Sequence, residues 1–312
     1  SYMFSTMGTK ALTTLDLGPA FTRIPSTNTD FAKDLGNSNT KIYVASDIYK
    51  DKTHFKLNYS SSTTIEVTSG ATLVNRDGTG GGTLISVTGS QNASSGFLGN
   101  SNIQRQHVEK VIFVNSTSNA NSTKWDVSEA GDGSIMAWYT GSKPYQVYIG
   151  SNGTIYANED SSYLFAFLAC SDLCTASSII EDKTGIFNTS TAINMDGMFM
   201  ECGPEKMTSL DFSTNLPNFD TSNVTNMQGL FWYTGYATMT SLNLGNKFDT
   251  SKVTNMYRMF ANMEVLTELK LGNKFNTSKV TNMAQMFLGC KNLTSLSLGD
   301  YFYTTNVTNM NS

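Results

Sequence analysis

The chain has 312 residues, 39% of them apolar, 15% charged, with a formal net charge of -4. That apolar share supports a folded core rather than a disordered tail. The low charge, carried by no Lys/Arg cluster, excludes a surface built to neutralise phosphates, so nucleic acid is not an expected partner. No stretch approaches the roughly 18 to 20 continuous apolar residues that cross a bilayer, and Ser1 to Lys10 lack the pattern of an export signal.

In chain order, the segment from Tyr2 to Phe21, with its LTTLDL run, reads as the second half of a repeat that recurs downstream. The runs KIYVASDIY from Lys41 and TTIEVTS from Thr63 are β-branched, bounded by Asn, Ser and Gly, and predict strands. NRDGTGGGT, from Asn75 to Thr83, combines a turn signal with consecutive glycines and predicts a linker. Beyond it, TLISVTG from Thr83 and KVIFVNS from Lys110 predict further strands. Ser134 to Ser161, punctuated by Gly-Ser-Lys-Pro and Ser-Asn-Gly, predicts a small β-meander.

The C-terminal half repeats. FNTSTAINMDGMF starts at Phe187, FDTSNVTNMQGLF at Phe219, FDTSKVTNMYRMF at Phe248, FNTSKVTNMAQMF at Phe275 and a shorter FYTTNVTNMNS at Phe302, in steps of 32, 29, 27 and 27 residues. Between them lie MTSLDF, MTSLNL, LTELKL and LTSLSL. One such unit cannot bury its own apolar face, so successive units are expected to stack about 4.8 Å apart, with Leu242, Leu269 and Leu296 in one column and Phe248, Phe275 and Phe302 in another. Asn226, Asn255, Asn282 and Asn309 recur beside apolar residues and are read as an asparagine ladder bonding the backbone of the turns, since a buried amide left unpaired costs roughly 1 to 3 kcal/mol. Thr225, Thr254, Thr281 and Thr308 should face solvent.

Cys170, Cys202 and Cys290 occupy a position that Met263 and Thr234 fill in other units. A site accepting Cys, Met or Thr wants a compact buried side chain, so these thiols are expected to be reduced core residues. The alternative is a Cys170–Cys174 or Cys170–Cys202 disulfide. Their spacing gives no metal set, and no metal or cofactor is expected. The two histidines, His54 and His107, sit in no nucleophile motif and are read as a surface strand residue and a polar face residue.

The LxxLxL spacing and the FDTSxVTNMxxMFxxC pattern resemble the BspA-like leucine-rich repeat surface proteins of bacteria over about residues 160–312. That resemblance implies a secreted or surface-exposed bacterial protein and a role in adhesion to host proteins or other cells. The expected fold is an α+β repeat, a leucine-rich repeat solenoid with β-rich caps between two repeat arrays. Residues 1–76 would end an upstream array with a β-type cap, 77–160 would form the β-rich N-terminal cap of a second array, and 161–312 its solenoid. Since Tyr2 and Asn311 both fall within the repeat pattern, further repeats are expected at both ends.

The expected function is a non-catalytic, extracellular module for adhesion or protein and glycan binding, with no membrane insertion within the chain. The alternatives are a structural spacer and a self-assembling surface-layer or filament component. An ice- or crystal-binding array is disfavoured because the exposed threonines number one per unit. LFWYTGYATM, from Leu230 to Met239, is two residues longer than its counterpart MFLGCKNL. Its extra residues should bulge outward and present Trp232, Tyr233 and Tyr236, rigid amphipathic side chains suited to a contact patch. Thr240, Ser241, Asn243, Glu268 and Lys270, outward on neighbouring strands, would complete it. The competing expectation is that Trp232 folds back to fill the gap beside Thr234 and Gly235.

Overall fold

The computed structural model describes residues 81–311 apart from 88, 90 and 121, together with the backbone of five short strands within residues 1–80. The chain divides into two compact units, 1–80 and 81–312.

In the first unit, β1 (Thr14–Asp16), β2 (Lys41–Val44) and β5 (Thr72–Asn75) form a parallel sheet in the order β1-β2-β5. β3 (Lys56–Leu57) and β4 (Ile65–Glu66) pair antiparallel. The LTTLDL run thus supplies a three-residue strand whose Leu15 is the register partner of Ile42. The rest of the Tyr2–Phe21 repeat and His54 lie outside the described residues.

The second unit begins with β6 (Gly82–Thr83), so the last residues of the expected linker are sheet, not tether. β6 pairs with β13 (Ile155–Tyr156), which pairs in turn with β15 (Phe187–Asn188), all parallel. A side chain at Gly81 would collide with the backbone of Thr154, which accounts for glycine there. β7 (Gly96–Phe97) and β8 (Asn100–Gln104) make a ribbon. A five-stranded sheet runs β10 (Trp125–Asp126), β11 (Met136–Thr140), β12 (Tyr145–Gly150), β9 (Val108–Val114), β14 (Ile180–Glu181). The meander is therefore only a hairpin, β11–β12, because its third strand leaves for a different sheet.

From Asp160 onward the repeats lie in register. β16 (Ser209–Asp211), β17 (Ser241–Asn243) and β18 (Glu268–Lys270) form a parallel sheet aligning Leu210, Leu242 and Leu269. Leu296, expected to continue this row, is half-buried and lies outside that sheet. On the other limb, single parallel bridges link Asp160, Asn194, Asn226, Asn255, Asn282 and Asn309 in succession. Each Asn Oδ1 accepts the N–H two residues on, as Asn255 does from Tyr257 at 3.1 Å, and Asn226 Nδ2 donates to Asn194 Oδ1 at 3.0 Å.

After each of these asparagines the chain winds through consecutive turns whose alternate N–H groups donate to carbonyls of the next unit. Gly197 donates to Gln228, Phe199 to Leu230 and Glu201 to Trp232, and Gly229, Phe231 and Tyr233 repeat the pattern one unit on. Each run has a pair of residues, four apart, at positive φ: Gly197 and Glu201, Gly229 and Tyr233, Arg258 and Asn262, Gln285 and Gly289, with Gly203 and Gly235 as a third in the two longer segments. The rings of Phe165, Phe199, Phe231, Phe260 and Phe287 stack between units, with centroids 5.4 to 5.7 Å apart. Burial of each such ring contributes roughly 1.5 to 3 kcal/mol, and offset stacking adds to that.

The expected α+β leucine-rich repeat solenoid, in two pieces, is therefore corrected. The molecule is β-rich, its sheets are small and open, and it is not a solenoid of that class. Among the described residues helix is confined to a four-residue α1 (Phe212–Asn215) and a 3-10 turn at Arg105–His107. The LxxLxL spacing carries only strand information. What an α+β repeat would place on the returning limb as helix is here a run of turns containing left-handed residues, a conformation incompatible with a continuing α-helix.

A buried arginine closes the start of the stacked units. Arg105, fully buried, donates from Nη1 to the carbonyls of Tyr163 at 2.7 Å, Ala166 at 3.0 Å and Leu164 at 3.3 Å. Leu164 and Ala166 correspond to Met198 and Met200, whose carbonyls accept N–H bonds from the unit before them.

Candidate functional site

Trp232 and Tyr233 fall in the turn run after Asn226, at the positions of Met200 and Glu201 one unit earlier. Both are half-buried, as is Tyr236. The rings form a chain of contacts: Trp232 to Tyr233 at 5.6 Å, Tyr233 to Tyr236 at 6.0 Å and nearly edge-on.

The expectation that the longer segment bulges outward is corrected. The preceding unit carries an equally long segment, Gly203 to Lys206, and the two stack: Gly235 N–H donates to Cys202 O at 3.1 Å and Ala237 N–H to Pro204 O at 2.9 Å. Extra residues can join the hydrogen-bond pattern when the neighbouring unit supplies matching carbonyls. Gly235 sits at a φ of 49°, and a Cβ there would strike Met239 and the Met207 carbonyl, so this turn requires glycine. Nor does Trp232 fill the gap beside Thr234 and Gly235; Thr234 is buried and donates to Phe199 O at 2.6 Å.

Trp232 packs instead against Arg258 of the following unit. The Arg258 guanidinium carbon lies 4.9 Å from the centroid of the Trp232 ring and 4.9 Å from that of Tyr257. Its Nε donates to Gln285 Oε1 at 2.6 Å, and the Tyr257 hydroxyl donates to the same oxygen at 3.3 Å. No described carboxylate pairs with Arg258. The Trp232 Nε1 is buried with no hydrogen-bond partner among the described residues, a group that ordinarily costs about 1 to 3 kcal/mol to leave unmade.

Sequence reasoning missed Arg258, Tyr257 and Gln285. The signal was in the register: the position after Asn-Met-x holds Gly197, Gly229, Arg258 and Gln285, and Arg258 is the one charged residue among them.

The remaining expected residues lie apart from the rings, on β17 and β18 and, for Thr240, just before β17. Ser241 Oγ donates to Glu268 Oε2 at 3.3 Å, and Lys270 Nζ lies 3.0 Å from Glu268 Oε1. Lys270 is the first cause holding the Glu268 carboxyl below its usual range, with Ser241 adding to it. Asn243 Nδ2 donates to Asp211 Oδ2 at 3.1 Å. Thr240 is exposed, and its carbonyl accepts the N–H groups of Thr267 and Glu268. None of the described contacts joins these five residues to Trp232, Tyr233 or Tyr236.

All four cysteines are free thiols. Cys290 donates to Phe260 O at 3.1 Å, the bond that Thr234 makes to Phe199. His107 is half-buried, and burial, followed by the charge of Lys143, holds its imidazole below the usual range. Among the described residues no three His, Cys, Asp or Glu side chains converge as a metal set, and no helix is long and apolar enough to cross a membrane.

The fold and the ring cluster together define a β-rich stacked-repeat protein with an aromatic, arginine-bearing flank. The model of a family described as Mycoplasma protein of unknown function, DUF285, matches residues 170–240 and 235–312. No curated protein and no solved structure matches the chain. The resemblance to BspA-like leucine-rich repeat proteins is overturned by this result, since no leucine-rich repeat family matches. LxxLxL is a short pattern that any inward-facing strand of a repeat satisfies, whereas the family match covers the FDTSxVTNM blocks as well.

Proposed function

We propose that the repeat region is a non-catalytic binding module of an extracellular, surface-held or secreted protein, and that it contacts a protein or glycan through the Trp232, Tyr233 and Tyr236 cluster. The observation that carries this reading is the half-exposed ring chain backed by Arg258, among described residues whose other outward positions are mostly Thr, Ser, Asn and Lys. Large rings with a polar handle concentrate binding energy at contact surfaces because they add area at little conformational cost.

Adherence of the purified chain to panels of immobilised matrix proteins and glycans tests the proposal. A Trp232→Ala, Tyr236→Ala double variant with an unchanged melting transition should adhere at least ~10-fold more weakly. Equal adherence would remove the patch and leave a spacer role.

A further inference from the structure

We propose that the aromatic flank recognises a sugar bearing a carboxylate, with Arg258 as the carboxylate-binding residue; this rests on the binding-module reading. The guanidinium carbon lies 4.9 Å from the ring centroids of both Trp232 and Tyr257, and its Nε is fixed by Gln285 at 2.6 Å. These contacts leave the Nη1 and Nη2 edge with no partner among the described residues. A planar fork locked in this way is pre-organised for two parallel hydrogen bonds to a carboxylate, and little rotamer freedom remains to be lost on binding.

The surroundings select the rest of the ligand. Tyr233 and Tyr236 continue the aromatic strip from Trp232, offering ring area for the apolar face of a pyranose. An acidic peptide would call for several cations along its length, and this strip holds a single arginine among rings. The repeat register supports a particular use of Arg258: at a φ of 55° it occupies a left-handed position where two other units carry glycine. A long charged side chain there meets no local backbone need. Gln285 adopts the same conformation at 56° one unit later, so glutamine is a structurally compatible replacement.

Calorimetric titration of the whole chain with uronate- and sialate-bearing oligosaccharides, each beside its carboxyl-reduced neutral form, tests the proposal. At least one acidic sugar should bind, its neutral form should not, and added salt should weaken the binding. Arg258→Gln should weaken it at least ~10-fold with an unchanged melting transition, while Arg258→Lys, which keeps charge without the fork, should fall between. Equal binding of the neutral form, equal binding by Arg258→Gln, binding of a glutamate-rich peptide alone, or no binding of any acidic sugar would overturn it. In those cases the adhesion reading still stands if the Trp232→Ala, Tyr236→Ala variant loses adherence, and falls separately if it does not.

Discussion

Arg105 Nη1 donates to the Ala166 carbonyl at 3.0 Å and so occupies the place where a preceding unit would present an N–H. Strand and turn edges left open carry unpaired backbone groups, and a buried carbonyl without a donor is costly. The two N–H groups of one guanidinium nitrogen are shared among three carbonyls here, at the expense of Nε and Nη2, which have no described partner. Burial pushes the Arg105 pKa down to about 10, with Cys202 acting in the opposite direction. Arg105→Met should lower unfolding stability by about 1 to 3 kcal/mol, since it leaves the carbonyls unpaired inside the core. Denaturant midpoints of the two proteins decide the matter; equal midpoints would mean that the buried charge costs as much as its bonds contribute.

The two threonine rows of the repeat should respond in opposite ways to the same substitution. Thr189, Thr221, Thr250 and Thr277 are buried, and each hydroxyl donates to a carbonyl of the following unit, as Thr250 does to Asn276 O at 2.8 Å. Thr250 Oγ1 also accepts the Asn276 N–H at 2.7 Å. Thr254 is exposed and donates to Thr225 O at 3.2 Å. Thr250→Val, nearly isosteric, should cost about 1 to 3 kcal/mol because donor and acceptor are both stranded, whereas Thr254→Val should cost less than about 0.5 kcal/mol. Thermal unfolding of the pair checks it.

This contrast marks what the residues disclosed and what they hid. The Asn226-to-Asn309 register and the outward Thr225, Thr254 and Thr281 follow from period and polarity, and the structure has them; of the expected Leu242-Leu269-Leu296 column it pairs the first two, with Leu210 and not Leu296 as the third member. The buried Thr250 row looked like any Ser/Thr turn residue, because a hydroxyl reveals its partner only once the next unit is stacked on it. The Phe199-Phe231-Phe260-Phe287 stack was legible in the MF pairs, yet Phe248 and Phe275 drew attention as block starts. The turn run was least legible. A Met-x-x-Met-Phe spacing is compatible with a helical face, and only φ values show that Arg258 and Asn262 bend the backbone the other way. Arg258 itself went unremarked because its importance comes from Trp232 of one neighbouring unit and Gln285 of another.

The thiols predict how stability depends on alkaline pH. Burial is the main cause that pushes Cys170 up to about 12 and Cys174 and Cys290 up to about 11, from an ordinary 9.0, and raises the wholly buried Cys202 as well. Glu201 reinforces the shift at Cys170 and Glu109 that at Cys174. With raised folded values, the native state keeps protons that the unfolded chain releases, so the contribution is complete below pH 9 and declines as pH rises through 11 to 12. The denaturant midpoint should therefore fall between pH 9 and pH 11, and Cys202→Ala should fall less steeply than the parent. A thiol reagent at pH 8 should label Cys174 and Cys202 only on unfolding.

Glu201 offers a route to a more stable protein. It sits at a φ of 51° in the second left-handed position of its unit, where Gly289 stands in another. A Cβ in that region costs roughly 1 to 2 kcal/mol, partly offset because glycine gives the unfolded chain more freedom. Its carboxyl is also half-buried, and burial raises its pKa above the ordinary 4.5. A raised folded pKa means that the group favours the native state while protonated and loses that contribution as pH rises past its folded value, so the native state carries the carboxylate at a disadvantage near neutrality. Both effects point the same way. Glu201→Gly should raise stability by up to about 1 kcal/mol at pH 7, with a smaller gain at pH 4, where the parent's carboxyl is largely protonated. The backbone bonds that Glu201 makes, its N–H to Trp232 O at 2.8 Å and its carbonyl from Cys170 Sγ at 3.1 Å, survive the substitution. Unfolding curves at the two pH values measure both the gain and its pH dependence; a loss at pH 7 would show that the side chain packs against its neighbours strongly enough to outweigh the strain of the left-handed turn.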